Sequence, residues 1–253
     1  MRRRTVLWLA VLVPLWAPRL NVPANAEPGP KADAAGSQRR EARLPPARTH
    51  YKGRRIAPTM GYQGAAWLIR QSRAHEENTK KLLESLDVKP GQLVADIGSG
   101  NGYFTLKLAK LVGPRGSVLA VDIQPEMLSL LKARAKQAGV ENVEPILGTL
   151  ADPKLPRGKL DLLLLVDVYH EFSYPERMLR ALRDSLKPSG RLVLVEFRGE
   201  DPEVPIRPLH KMTKKQILKE LPPNGLRLVR EVDDLPWQHV MFFQPGPLPG
   251  DHR

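Results

Sequence analysis

The chain of 253 residues contains no cysteine. That excludes disulfides, thiolate metal sites and a thiol nucleophile, but it does not identify a compartment, because exported proteins also fold without cystine. Internal repeats are missing too, so a solenoid or propeller is not expected. Long apolar runs are few. The N-terminal one, residues 6–13, is too short for a bilayer span, which takes roughly 20 residues. Acidic residues are in deficit, 27 against 40 Lys and Arg, giving a formal charge of +13. Most of that excess lies before residue 59, with +4 in residues 1–26, +5 in 27–58 and only +4 in all the rest. A basic chain ordinarily suggests nucleic acid as partner, but this excess lies outside the expected folded region, so no nucleic-acid partner is expected.

The N-terminus reads as a secretory signal. Arg2-Arg3-Arg4 form a charged region, the apolar run follows, and Ala24-Asn25-Ala26 offers an A-x-A cleavage site. Cleavage there would yield an exported (periplasmic or secreted) protein with no stable membrane insertion. Translation from Met60 would instead yield a cytoplasmic one. Residues 27–58, rich in Pro, Ala and Arg, have few large apolar side chains with which to offset chain entropy. They are expected to be a disordered basic linker, residues 59–243 the folded domain, and 244–253, with Pro245, Pro247 and Pro249, a flexible tail.

Within the domain, apolar runs alternate with helical periodicity, the pattern of a parallel sheet covered on both faces. Strands are predicted at 93–97, 118–122, 143–147, 160–166 and 191–197, with two more near 227–232 and 238–243 closing the sheet as a hairpin-like pair. Helices are predicted at 73–86, 103–112, from Pro125 to Gly139, at 175–186, and from the Thr213/Gln216 capping box to about 221.

The first of these strands runs into Asp96-Ile97-Gly98-Ser99-Gly100-Asn101-Gly102-Tyr103-Phe104. Three alternating glycines remove side chains where a chain must turn tightly and a ligand must come close, and the following helix opens with unpaired N–H groups. Dinucleotide-binding dehydrogenases want G-x-G-x-x-G, but that third position is Tyr103. A dehydrogenase is therefore the weaker enzyme reading. Asp122 ends the second strand, 22 residues after Gly100, where an acid accepts hydrogen bonds from ribose hydroxyls. Ile123 and Met127 are placed to flank a base.

These two segments, together with Leu186-Lys187-Pro188-Ser189-Gly190-Arg191-Leu192, resemble consecutive motifs of the class I S-adenosylmethionine-dependent methyltransferases. The resemblance covers roughly residues 78–243. It is greatest to the small-molecule enzymes of ubiquinone and menaquinone biosynthesis and to arsenite methyltransferases. Arsenite itself is disfavoured as acceptor, because that chemistry resembles one that relies on cysteines. The resemblance implies an α/β, Rossmann-like, doubly wound sheet of seven strands, the last antiparallel. It also implies S-adenosylmethionine as cofactor, with binding roles for Asp96, Gly98, Gly100, Gly102 and Asp122; Tyr103 and Ile123 are further cofactor-binding candidates beside them.

Relatives often carry Gly-Asp-Ala after the third strand, whereas here Gly148-Thr149-Leu150-Ala151-Asp152 puts Thr in place of Asp. Thr149 is expected to contact the cofactor through its hydroxyl, Leu150 through its N–H, and Asp152 stands nearby. Asp167-Val168-Tyr169-His170-Glu171-Phe172 leaves the end of the fourth strand, where ligands sit in open α/β sheets. His170 is the leading general-base candidate. Asp167 and Glu171 are alternatives, Tyr169 and Glu196 weaker ones, and Asp167 is also counted with the cofactor groups. Trp67 and Arg70 fall where the superfamily places a lid, and His210, Lys211 and Met212 lie where substrate specificity varies. No metal is expected, since no ligand set stands at a recognisable spacing. The expected activity is methyl transfer to a small-molecule acceptor. The contrasting reading is an exported, non-catalytic binding protein on the same fold.

Overall fold

The four consecutive leucines 162–165 show how the sheet is built. All are fully buried, and they enter the two cores alternately, Leu163 and Leu165 on one face, Leu162 and Leu164 on the other. A strand exposes opposite faces at successive residues. An unbroken leucine run is therefore stable only in a central strand covered on both sides. In the computed structural model, which describes residues 44–248 and 250, this strand is β6 (Leu160–Val166).

It is flanked by β3 (Leu93–Ile97), β4 (Ser117–Asp122) and β5 (Val143–Leu147) on one side, and by β7 (Leu186–Arg198), β10 (Gln238–Pro245) and β9 (Leu226–Val232) on the other. The order is β5-β4-β3-β6-β7-β10-β9. Strands β3 to β7 pair in parallel, and β10 is antiparallel to both β7 and β9. This is the expected seven-stranded sheet with its last strand reversed. A two-residue strand, β8 (Lys211–Met212), adds to the end of β7.

The helices α4 (Thr105–Val112), α5 (Pro125–Gln137), α6 (Pro175–Ser185) and α7 (Lys214–Glu220) fall where periodicity puts them. Thr213 caps α7 by accepting the Gln216 N–H at 3.1 Å. A short α1 (Ala65–Leu68) precedes them. The single helix expected at 73–86 is instead two, α2 (Arg73–Glu76) and α3 (Thr79–Ser85). Asn78 breaks it by taking φ +44 and accepting the Lys81 N–H. Asparagine tolerates that left-handed conformation and starts a new helix as a cap.

Two boundaries differ from the expectation. Residues 45–58 do not behave as a disordered linker. They form a hairpin of β1 (His50–Tyr51) and β2 (Arg54–Arg55), with Tyr51, Ile56 and Ala57 buried. Arg54 makes a two-pronged ion pair with the fully buried Glu220, at 2.8 and 3.1 Å, and donates to the His170 carbonyl at 2.9 Å. A few specific partners order this segment, a signal that composition averaged over 27–58 dilutes. At the other end β10 continues through Pro245, and the Gly246 N–H donates to the Gly225 carbonyl at 2.8 Å. The expected signal segment and residues 27–43 lie outside the described residues.

Candidate functional site

The sheet reverses direction of build-out between β3 and β6, and a crevice opens beyond the carboxyl ends of such neighbours. Here the crevice is a cavity partly open to solvent. Gly98 and Gly100 form its floor with Asp122 and Ile123 beside them, and Thr149, Leu150 and Met127 form one wall. Met60, Leu68, Val168 and Glu171 close it from above and behind.

The loop is shaped by backbone conformations that only glycine adopts at low cost, with φ +68 at Gly98 and +53 at Gly100. Asp122 ties it to the next strand. Its Oδ2 accepts the Gly100 N–H at 2.8 Å and its Oδ1 accepts the Gln124 N–H at 2.9 Å. Burial pushes this carboxyl up, against those backbone hydrogen bonds. Each carboxylate oxygen carries further lone pairs, so the group can still receive hydroxyls from the cavity.

Three of the expected cofactor residues stand behind the loop and do not line the cavity. Strand alternation turns Asp96 toward α4, where it is buried and accepts the Thr105 hydroxyl at 2.6 Å. Burial drives its pKa to about 7, opposed by that hydrogen bond and by Arg73, and assisted by the charge of Asp122. Tyr103 lies under the Arg73 and Lys107 cations at 4.5 and 4.8 Å. Gly102 faces Leu131 of α5. All three buttress the glycine turn. Thr149 does line the cavity, but its hydroxyl is engaged locally, accepting the Asp152 N–H at 3.0 Å and the Ala151 N–H at 3.3 Å.

The loop after β6 separates its polar groups in the same way. Asp167 is half-buried, with its carboxyl turned inward, at φ +52, a strained value for a residue with a side chain. One of its oxygens accepts the Gln238 amide at 2.8 Å, and the other has no partner. Burial raises its pKa well above the carboxylate range, helped by the charges of Glu77 and Glu196. His170 is also buried and turned away from the cavity. Its Nδ1 lies 2.7 Å from Glu196 Oε2, and its Nε2 lies 3.1 Å from His210 Nδ1. Burial lowers its pKa, but the charge and hydrogen bond of Glu196 outweigh that and leave it raised. Of the three catalytic candidates only Glu171 reaches the cavity wall. Burial lifts its pKa to about 7, with the neighbouring His170 charge pulling the other way.

Residues that sequence reasoning missed tie down the segment from Met60 to Leu68, which lies against the glycine turn. Gln124 clasps that segment at two points, donating to the Met60 carbonyl at 3.0 Å and accepting the Tyr62 N–H at 2.9 Å. Met60 N–H donates to Glu171 at 3.3 Å, and Asn101 holds the Ala65 carbonyl at 2.7 Å. A polar side chain two residues after Asp122 is the sequence cue for this clasp. Trp67 is half-exposed against the Arg70 guanidinium, 3.9 Å from its ring centre, and lines no part of the cavity.

Comparison with known proteins agrees with this geometry. The ubiquinone/menaquinone biosynthesis C-methyltransferase UbiE of Vibrio cholerae is 27% identical over 146 residues, 57% of this chain and 55% of that protein. UbiE of Ectopseudomonas mendocina is 34% identical over 116 residues, 46% of this chain and 45% of that protein. The chain thus spans about half the length of the curated relatives it matches. A solved S-adenosylmethionine-dependent methyltransferase from Aquifex aeolicus superposes with a TM-score of 0.69 at 25% identity, covering 73% of this chain and 98% of that one. A family model described as a methyltransferase domain matches residues 89–236, and the chain belongs to that family, of the class I S-adenosylmethionine-dependent kind.

Proposed function

We propose that this chain transfers a methyl group from S-adenosylmethionine to a small organic acceptor, with the cofactor in the cavity beyond β3 and β4. The carrying observation is the convergence of the side-chain-free Gly98–Gly100 turn, the buried Asp122 carboxylate and Glu171 on one cavity. That set fits the group. Asp122 has spare lone pairs for the ribose hydroxyls, while Ile123, Met127 and Leu150 give apolar walls for the base.

The cofactor supplies, when bound, an activated methyl on a positively charged sulfur. The protein's own work is alignment and exclusion of water. Gln124 holds the lid segment from Met60 to Tyr62 over the crevice, and Leu68 covers the glycine turn. Glu171, fixed by the Met60 N–H, takes the proton of a hydroxyl or ring carbon that gains the methyl. The apolar side chains of Met60, Phe172 and Met178, which also line the cavity, favour a ring over a small oxyanion. The names of the UbiE relatives support a quinone-type ring carbon as one acceptor class.

Calorimetric titration of S-adenosylmethionine, followed by mass spectrometry of products from labelled cofactor over hydroxylated aromatic rings and quinols, tests this. Binding with label transferred to a ring is the expected result. Binding without transfer across the panel would instead favour the non-catalytic binding protein, and no binding at all would end both readings.

A further inference from the structure

Two loops that are 40 residues apart in sequence meet behind the cavity wall. His170 and Glu171 sit in the single turn after β6, and His210 ends the turn that leads into β8. One ligand atom from each of His170, Glu171 and His210 lies within 4.8 Å of the others. His170 Nε2 is 3.1 Å from His210 Nδ1 and 4.0 Å from Glu171 Oε1. Ligands about 2.0–2.2 Å from a tetrahedral ion stand roughly 3.3–3.6 Å apart, so an ion fits among these atoms with small side-chain adjustments.

A fourth residue gives the cluster the form of a prepared site. Glu196, fully buried, accepts the His170 Nδ1 proton at 2.7 Å and the backbone N–H of the same residue at 3.3 Å. A carboxylate on one imidazole nitrogen fixes the tautomer in which the other presents a lone pair, as behind metal-bound histidines. The His170 carbonyl is pinned as well, by Arg54 at 2.9 Å and by the Ala57 N–H at 3.1 Å. A surface histidine pair would have no need of such support. His210 can offer its Nδ1 lone pair by carrying its proton on the other ring nitrogen.

We propose that His170, His210 and Glu171 bind a divalent first-row transition ion, with Zn²⁺ as the probe. Two imidazoles and one carboxylate suit such an ion better than Mg²⁺ or Ca²⁺, which want oxygen ligands. Three protein ligands leave one position open. Because Glu171 also lines the cavity, that position is within reach of an acceptor oxygen, and the substrate class narrows to rings bearing a hydroxyl or carbonyl. A carboxylate that ligates through one oxygen keeps the other for the acceptor's proton. This role rests on the methyl-transfer reading, whereas the metal binding does not.

The test uses the full chain, stripped with chelator and titrated with Zn²⁺ by calorimetry and with Co²⁺ by visible absorption. One ion per chain and the intense bands of tetrahedral Co²⁺ are expected. His210→Ala, at a half-exposed position that folding tolerates, should weaken Zn²⁺ at least ~100-fold and abolish the bands. Glu196→Gln should weaken it ~10–100-fold, with unchanged far-UV circular dichroism verifying the fold of each variant. Wild-type Zn²⁺ affinity in His210→Ala, or no Zn²⁺ binding by the native chain, overturns the proposal. S-adenosylmethionine binding, measured in parallel without metal, separates the readings. Its loss with Zn²⁺ binding intact sinks methyl transfer alone, and the converse sinks the metal site alone.

Discussion

Leu68 lies directly over Gly100, so that a β-carbon built on the glycine would stand 2.6 Å from the leucine Cδ1. The glycine turn is therefore fixed twice, by a φ of +53 and by the Leu68 side chain pressed onto it. Gly100→Ala pays a left-handed penalty of about 1–2 kcal/mol and also displaces the lid. S-adenosylmethionine affinity should fall at least ~100-fold, and the urea midpoint should drop. Adding Leu68→Ala should recover part of the affinity and none of the backbone penalty. Calorimetry on the single and double variants reads both effects, and an unaltered affinity in Gly100→Ala would place the cofactor elsewhere.

The clasp made by Gln124 predicts a kinetic effect. Its amide forms two hydrogen bonds to lid backbone, each worth about 0.5–1.5 kcal/mol net. Gln124→Ala should speed cofactor dissociation ~10-fold while leaving the thermal midpoint nearly unchanged, because the lid contributes little to the sheet core. Stopped-flow dissociation measures this. A rate within twofold of wild type would mean that other contacts hold the lid.

How much of this was legible follows from which forces act locally. The strands were readable because burial on both faces writes itself as continuous apolar runs, as at Leu162 to Leu165. The glycine turn and Asp122 were readable because their spacing follows from strand and turn geometry. The partnership of His170 with His210 was not, since it arises only when β7 lies beside β6 and carries a distant loop to the same rim. The hairpin at residues 50–55 was hidden for a related reason. Its order depends on Glu220, a buried charge that must be paired and whose partner, Arg54, lies 166 residues away. Resemblance alone puts Asp96 at the cofactor, and the alternation of β3 turns its side chain toward α4 and the Thr105 hydroxyl.

Asp167 combines a strained backbone with a buried carboxyl that has only one hydrogen-bond partner. In the unfolded chain the group ionises freely at neutral pH, whereas in the fold burial and the charges of Glu77 and Glu196 raise its pKa and disfavour the ionised form. Asn keeps an oxygen for the Gln238 amide, never ionises, and accepts positive φ. Asp167→Asn should therefore stabilise the protein at pH 7 by about 1–3 kcal/mol. Equilibrium unfolding in urea is the check. A destabilised variant would mean that the carboxyl contributes a contact that Asn cannot replace.

Asp96 predicts the shape of the stability–pH curve. Its folded pKa of about 7 lies above the unfolded value near 3.9, so between those limits the native state holds a proton that the unfolded chain has released. Stability from this group is fully present below about pH 4 and is lost as pH rises through 7, at a slope of order 1 kcal/mol per pH unit. Asp96→Asn keeps an acceptor for the Thr105 hydroxyl and has no proton to lose. The unfolding free energy of wild type minus that of the variant should thus decline from pH 4 to 7 and then level off. Arg73 pulls the other way. If its attraction prevailed, Asp96 would be ionised in the fold, and the same difference would stay flat from pH 4 to 7 and rise with pH only below about 4. A decline or a flat line between pH 4 and 7 therefore decides between a carboxyl buried as an acid and one held as half of an ion pair.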